Sequence, residues 1–316
     1  MNAAAPTESP ARAAIVDIQH GLATSGYIAS DAIATVLYLA RALSKPVLVE
    51  GPPGVGKTEL ANAAAKLIDK PLIRLQCYEG LDESRALYEW KYGKQLLYTQ
   101  VLKEKLGDLM AGAQGLKESI ARLHEFDDTF FNEEFLEPRP LLKALWAEHG
   151  AVLLIDEIDK SDQEFEAFLL ELLSDYQISI PEIGTVRAKH PPLVFLTSNN
   201  TREIGDALKR RCLHLYIPFP DYKLEQRIIE SRVPELEARL RTQLVSFVQG
   251  LRGLDLKKVP AVSETIDWAR TLVLMHANEL DTQLVRQTLN VLLKFQDDIE
   301  NVDAEIPALT RTANKS

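Results

Sequence analysis

The most informative segment of this sequence is Gly51-Pro-Pro-Gly-Val-Gly-Lys57-Thr58. It fits the pattern of a glycine, four residues and then Gly-Lys-Thr, and it stands between an apolar run, Pro46-Val-Leu-Val-Glu50, and a helical period. Its glycines let backbone N–H groups wrap around phosphates, and the helix that follows presents the positive end of its dipole. The sequence therefore predicts a phosphate-binding loop of the Walker A type between a strand and a helix.

The side chains of this loop indicate a nucleoside triphosphate and a metal ion as its ligands. The ammonium of Lys57 would reach the β and γ phosphates, and the hydroxyl of Thr58 would ligate Mg²⁺. We therefore expect ATP and Mg²⁺ as cofactors. The candidate nucleotide-binding residues of the loop are Gly51, Pro52, Pro53, Gly54, Val55, Gly56, Lys57, Thr58 and Glu59.

A second motif, Ala151-Val-Leu-Leu-Ile155-Asp156-Glu157, begins as a buried strand and ends in two carboxylates. At the end of such a strand, Asp156 would lie near the metal ion and Glu157 near the γ phosphate, where Glu157 could activate the attacking water. Strand-end carboxylates are often only solvated. Together with the phosphate-binding loop, however, they form the Walker B arrangement and favour nucleotide hydrolysis.

Asn199 follows another predicted strand, in Val194-Phe-Leu-Thr197-Ser198-Asn199. The carboxyl ends of parallel strands line the ligand crevice, so Asn199 could orient the attacking water. The alternative is an ordinary turn asparagine.

Lys209-Arg210-Arg211 place three cations at a predicted helix end, just before the last strand. Such a run is either solvated and stabilised by the helix dipole, or it delivers an arginine finger to the nucleotide of a neighbouring subunit. Position alone leaves the two interpretations about equal.

Five short apolar runs separated by helical patterns predict an α/β fold with a parallel sheet covered on both faces. The runs are 46–50, 71–76, 151–155, 192–197 and 213–217. Alternation around Glu182-Ile-Gly184 predicts a hairpin over 178–188. After Pro220 the strand signal ends, and helices are expected at about 222–232, 234–252, 263–277 and 281–299. The predicted organisation is a flexible segment at 1–26, an α/β core at 27–220 with an insertion at about 93–137, and a helical lid at 221–316.

The composition of the chain indicates which partners and which cell compartment to expect. The 316 residues include 36 Lys and Arg against 46 Asp and Glu, a net charge of −10, which argues against a general nucleic-acid binder. A local basic site for a small phosphate ligand remains compatible with that charge. Two cysteines are too few for a disulfide framework, and no run of about 18 apolar residues suggests a membrane span. We expect a cytoplasmic protein without a transmembrane segment.

In this order, and with helices behind them, these motifs resemble the AAA+ ATPases, and within them the MoxR group. Four further stretches are similar to the CoxD-type ATPases linked to maturation of the molybdenum–copper carbon monoxide dehydrogenase: Leu75-Gln-Cys-Tyr-Glu-Gly-Leu-Asp82, Tyr88-Glu-Trp90, Glu164-Phe-Glu-Ala-Phe-Leu-Leu-Glu-Leu-Leu-Ser-Asp175 and Ala207-Leu-Lys-Arg-Arg-Cys212. The resemblance covers about residues 27–300. It implies an AAA+ P-loop NTPase core, with a five-stranded parallel sheet, and a C-terminal helical lid.

The resemblance also implies roles for single residues. Asn199 would sense the γ phosphate, and Arg211 would be the arginine finger, with Arg210 as the second choice. Arg286 matches the second sensor, a lid arginine that reaches the nucleotide of its own subunit. Many MoxR relatives carry Ser-Pro-Arg where this chain has Leu284-Val-Arg286, so a surface lid arginine is the alternative.

By this resemblance the chain is an ATP-hydrolysing, ring-forming chaperone, expected as a hexamer, that remodels a protein substrate. The implied substrate is an apo-metalloenzyme, carbon monoxide dehydrogenase, and the implied partner carries a von Willebrand factor A domain. Alternatives are a MoxR-type chaperone for another enzyme, including a rubisco activase-like role, and a nucleotide-switched binding module. A small-molecule kinase is less favoured because it has no use for a finger supplied by a neighbour.

Overall fold

A computed structural model of the chain describes residues 10–109, 132–181 and 183–315. Its strands, in chain order, are β1 (Val47–Glu50), β2 (Leu72–Gln76), β3 (Tyr88–Trp90), β4 (Leu136–Pro138), β5 (Val152–Asp156), β6 (Gln177–Ile180), β7 (Gly184–Arg187), β8 (Leu193–Ser198) and β9 (Leu213–Tyr216).

The helices over the same ranges are α1 (Pro10–Thr24), α2 (Asp31–Leu43), α3 (Lys57–Leu67), α4 (Glu83–Ala86), α5 (Tyr92–Leu109), α6 (Pro140–Trp146), α7 (Gln163–Asp175), α8 (Asp206–Lys209), α9 (Tyr222–Arg232), α10 (Ala238–Arg252), α11 (Val262–Leu274), α12 (Thr282–Leu292), α13 (Gln296–Asp303) and α14 (Ile306–Ala313). None of these described helices combines the length and the apolar character that crossing a bilayer requires.

The predicted parallel sheet is confirmed. Five strands pair in the order β2-β5-β8-β1-β9, and every pairing between them is parallel. β5 is buried along its whole length, because helices cover both faces of the sheet. Its alternate residues enter two different hydrophobic clusters, Leu153 and Ile155 on one face, Val152 and Leu154 on the other.

The N-terminal segment differs from the prediction of a flexible stretch at 1–26. Residues 1–9 lie outside the described part of the chain, but α1 is a helix that packs against α2 and α3. Ile18 and Leu22, four positions apart, are both buried, and Ile15 packs beside them. This helical spacing puts one apolar stripe onto the core, which is why the segment is ordered.

The insertion predicted at about 93–137 begins as a helix, α5. Its residues 110–131 lie outside the described part of the chain. The insertion ends in β4, which pairs antiparallel with β3, so a two-stranded sheet stands where no strand was expected. The predicted hairpin is confirmed as β6 and β7, which pair antiparallel; Glu182 at its turn lies outside the described residues.

The C-terminal part is helical, as predicted, although the helix expected at 281–299 is divided into α12 and α13. Leu293 takes an extended conformation at the break, and the ammonium of Lys294 donates to the carbonyls of Asn290 and Val291 at 3.2 and 2.7 Å. Lys294 thus satisfies carbonyls that the shortened helix leaves unpaired. The helices share a hydrophobic cluster of their own, drawn from residues 229–313. The domain boundary at Pro220 stays a prediction.

A buried ion pair holds three of these helices together. The carboxylate of Glu225 on α9 is fully buried and accepts hydrogen bonds from both terminal nitrogens of Arg252 on α10, each at 2.7 Å. The Thr265 hydroxyl on α11 donates to the same carboxylate at 2.9 Å. Removing the acid would leave the buried guanidinium without its counter-charge.

We expect Glu225→Ala to lower the free energy of unfolding of the helical part by about 3–5 kcal/mol, the usual cost of breaking a buried pair by removing one partner. Chemical denaturation followed by circular dichroism measures it. The matched control is Glu235→Ala, an exposed glutamate three residues beyond the end of α9, which should change stability by less than about 0.5 kcal/mol. Equal effects of the two substitutions would contradict the assignment.

Candidate nucleotide-binding site

The phosphate-binding loop joins β1 to α3, as predicted, and Lys57 is the first residue of the helix. The Lys57 ammonium donates to the carbonyls of Gly51 and Pro52 at 2.7 and 2.8 Å, and to Asn199 Oδ1 at 2.7 Å. Burial lowers the pKa of Lys57, while the carboxylates of Asp159, Asp156 and Glu157 act in the opposite direction. The loop therefore holds one cation in a fixed position at the carboxyl edge of the sheet.

Asp156 ends β5 beside this loop. The Thr58 hydroxyl donates to its two carboxylate oxygens at 3.1 and 3.3 Å, the Thr197 hydroxyl donates to Oδ1, and Arg74 Nε donates to Oδ2 at 3.0 Å. Mg²⁺ is usually bound in proteins by one or two oxygen side chains together with phosphate oxygens and water. The adjacent hydroxyl and carboxylate of Thr58 and Asp156 fit that donor set.

Glu157 follows in a left-handed backbone conformation with φ of 57°. Such a conformation is strained for a residue with a side chain, and here the Glu157 N–H donates to Thr197 Oγ1 at 2.9 Å. The carboxylate accepts from Gln76 Nε2 at 2.8 Å and from Lys160 Nζ at 2.6 Å. These contacts aim a carboxylate along the same edge of the sheet as Lys57.

Asn199 links the cation of the loop to this carboxylate. Its Oδ1 accepts from Lys57, and its Nδ2 donates to Glu157 Oε1 at 3.4 Å. The loop around it is held by Asp159, whose Oδ2 accepts from the N–H groups of Asn199 and Thr201 and, at 2.6 Å, from the Thr201 hydroxyl. The structure thus brings the predicted Lys57, Asn199 and Glu157 together.

A cavity of about 430 Å³ lies between these residues and the C-terminal helices. Residues 53–59 of the loop line one side, together with Asp156, Glu157 and Asn199. The other side is mostly apolar and is lined by Tyr27, Ile28, Ile217, Leu224, Ile228, Val262 and Ile266. A cavity of this size with one polar and one apolar end suits a nucleotide, whose phosphates and base differ in the same way.

The lid arginine that faces this cavity is Arg232, which the sequence did not point out. Arg232 Nη2 donates to Glu59 Oε1 at 2.8 Å, and both residues line the cavity. Arg286, the predicted second sensor, does not line it. Arg286 is exposed on α12 and makes a two-fold contact with Asp303 at 2.7 and 3.0 Å, which holds its guanidinium against α13.

Arg210 and Arg211 also lie outside the cavity of their own chain. Arg211 Nε donates to Ser174 Oγ at 2.6 Å and its Nη1 donates to the Ala207 carbonyl at 2.9 Å. Arg210 is exposed to solvent.

Gln76, Arg74 and Thr197 are site residues that the sequence reasoning missed. Gln76 ends β2 and so obeys the rule that singled out Asp156 and Asn199, namely a polar side chain at the carboxyl end of a core strand. Arg74 points to the same edge from within β2, and no motif marks it.

A family model described as "AAA domain (dynein-related subfamily)" matches residues 46–212, more than half of the chain. The chain therefore belongs to this AAA family. AAA+ domains in general hydrolyse nucleotides with Mg²⁺, and they typically assemble into rings. Two similar proteins are both uncharacterized proteins of Staphylococcus aureus, one from strain bovine RF122 / ET3-1 and one from strain NCTC 8325 / PS 47; each is 26% identical over 238 residues, 73% of this chain and 76% of its own length.

Solved structures with a similar arrangement include two of RuvB from Thermotoga maritima. One is a point mutant that is 18% identical in sequence, with a TM-score of 0.46. The match covers 84% of this chain and 70% of the RuvB chain. The other, the Holliday junction branch migration motor, is 17% identical, with a TM-score of 0.43. The match covers 87% of this chain and 69% of the RuvB chain.

The contact between the loop and α11 can be tested at Gly54. A Cβ there would lie 2.5 Å from the Ala261 Cβ and 2.7 Å from Ser263 Oγ, at a φ of +73°. We expect Gly54→Ala to push α11 away from the loop. ATP should then bind at least tenfold more weakly, a loss of about 1.4 kcal/mol that a calorimetric titration measures.

The matched control is Gly80→Ala, at a φ of +77° but with no atom within 4 Å of the added Cβ. It carries the same backbone strain without the clash, so ATP affinity should stay within about twofold of the parent. Equal losses in the two variants would show that a general effect of the substitution, and not contact between the loop and α11, weakens binding.

Proposed function

We propose that this chain binds ATP in the cavity between its sheet and its C-terminal helices and hydrolyses it within a ring of identical subunits. The observation that carries the proposal is the Asn199 side chain, which joins the Lys57 ammonium to the Glu157 carboxylate. A phosphate-binding cation and a carboxylate base must face the same γ phosphate for hydrolysis. Here one amide spans both groups, at the end of the strand where a sensor of that phosphate would stand.

In this proposal Glu157 acts as the general base on the attacking water. Its hydrogen bonds from Gln76 and Asn199 orient it while leaving the carboxylate partly exposed. Thr58 and Asp156 would hold Mg²⁺, which would neutralise charge on the phosphates. Arg232 and Glu59 close the opposite side of the cavity through their ion pair.

A neighbouring subunit would complete the site with an arginine. The residue we favour is Arg210, although the sequence favoured Arg211, because Arg211 is engaged by Ser174 and by the Ala207 carbonyl while Arg210 is exposed. An arginine finger must reach outward from its own subunit to stabilise charge in the transition state.

The motifs that resemble the MoxR group support a protein substrate for this ATPase. We propose that it acts in the cytoplasm with a partner carrying a von Willebrand factor A domain, in maturation of the metal site of a carbon monoxide dehydrogenase. Deleting the gene should leave the dehydrogenase present but short of its metals, measured by elemental analysis of the purified enzyme. A fully loaded dehydrogenase in that strain would instead favour another client enzyme, such as one activated in the manner of rubisco.

Two substitutions separate binding from hydrolysis. Lys57→Ala should abolish detectable ATP binding, because the γ phosphate loses its fixed cation. Glu157→Gln should still bind ATP but lower kcat at least about 100-fold, the usual contribution of a general base. Calorimetry and phosphate release measure the two effects.

The matched controls are Lys66→Ala, an exposed lysine at the far end of α3, and Glu235→Gln. Both should keep the parent affinity and kcat. Unimpaired turnover in Glu157→Gln would remove that residue from the role of base.

Mixed rings test the contribution of the neighbour. Arg210→Ala should bind ATP and lose turnover, whereas Arg211→Ala should retain most of it. Mixing Arg210→Ala with Glu157→Gln subunits should restore part of the phosphate release, because some interfaces then combine an intact base with an intact arginine. No recovery at any mixing ratio would argue against a shared site.

A further inference from the structure

A second cavity, of about 510 Å³, opens at the opposite edge of the central sheet. Its walls are the turns that lead into four neighbouring strands: Lys45 precedes β1, Lys70 precedes β2, His149 precedes β5 and His190 precedes β8. The nucleotide site stands at the carboxyl ends of the same strands. β5 has five residues, so at about 3.3 Å per residue the two edges are about 15 Å apart. The cavity is therefore separate from the nucleotide site.

The charge of this cavity is of one sign. Five basic side chains line it and no carboxylate does, among the described residues; they are Arg41, Lys45, Lys70, His149 and His190. None of the five forms an ion pair or a side-chain hydrogen bond with another described residue. Exposed lysines and arginines are ordinarily solvated, but these converge on one concavity in a chain whose net charge is −10.

The remaining walls are ordered and partly apolar. The Tyr176 hydroxyl donates to the Ser44 carbonyl at 2.8 Å, which ties the end of α7 to the end of α2. Gly150, at a φ of +77°, lets the chain before β5 pass close to His190, whose Cβ would lie 3.4 Å from a Cβ on the glycine. Tyr176 and Leu193 are both largely buried, and both contribute to the lining. The basic side chains thus stand around a preformed recess.

We propose that this cavity binds a small phosphorylated molecule. The planar guanidinium of Arg41 can donate two parallel hydrogen bonds to one phosphate, and the ammonium groups of Lys45 and Lys70 supply point charges for the others. The accessible lining residues Ile68 and Pro191 offer an apolar surface to the rest of the ligand. Phosphate is the chemistry that makes use of several unpaired cations in one recess.

Pyrophosphate is the probe for this site, titrated calorimetrically into the full chain. The protein titrated carries Lys57→Ala, so that binding of pyrophosphate to the phosphate-binding loop contributes as little as possible to the signal. Pyrophosphate should still bind, and adding Arg41→Gln with Lys45→Gln should weaken that binding at least tenfold. Both substituted side chains are exposed, and an unchanged thermal midpoint shows that the fold is kept.

The matched control is Arg311→Gln with Lys315→Gln in the same background, which removes the same charge from exposed positions on and just beyond α14. It should change the affinity less than twofold. A loss as large as that of the cavity variant would mean that net charge, not the cavity, binds the probe. The proposal would also be overturned if pyrophosphate did not bind to the Lys57→Ala protein at all. The same holds if the cavity variant bound pyrophosphate with undiminished affinity.

Discussion

The buried ammonium of Lys57 is the group on which the arrangement of this molecule depends. A charge removed from water is costly unless fixed dipoles replace its hydration. Two carbonyls of its own loop and Oδ1 of Asn199 do so here, at 2.7 to 2.8 Å. Asn199 lies just beyond β8, and β8 pairs with both β1 and β5. The position of the Lys57 ammonium therefore depends on the register of β1, β8 and β5. The same register fixes the position of Asp156 and Glu157 at the end of β5.

Local patterns predict the position of a residue well when the backbone of a strand or a loop fixes that position. Lys57, Asp156 and Asn199 each stand at the carboxyl end of a core strand or directly after a glycine loop, so topology alone brings them together. The resemblance to the MoxR group predicts Arg286 as the second sensor, but its contact with Asp303 depends on how two helices pack, which no local pattern specifies. Arg232 faces the nucleotide cavity for the same kind of reason. The Ala- and Pro-rich start of the chain indicates a flexible segment, whereas the apolar stripe of Ile18 and Leu22 in α1 becomes evident only when the helix packs on the core.

The two edges of the sheet divide the charge of the chain. At the carboxyl edge, cations alternate with carboxylates, as a site for a metal-bound triphosphate requires. At the amino edge, Arg41, Lys45 and Lys70 face a recess without a carboxylate among the described lining residues. The overall charge of −10 conceals both features, because it sums over surfaces whose local charge differs. Local charge, and not its total, thus indicates which ligands the chain can hold.

In the proposed function, ATP is hydrolysed at a site completed between subunits. The most direct test of this proposal is the rate of phosphate release per chain, measured with Mg²⁺ over a range of chain concentrations alongside light scattering. We expect the rate per chain to rise as rings assemble, because isolated chains lack the arginine of a neighbour. A rate per chain that is the same for dispersed monomers as for assembled rings would contradict it.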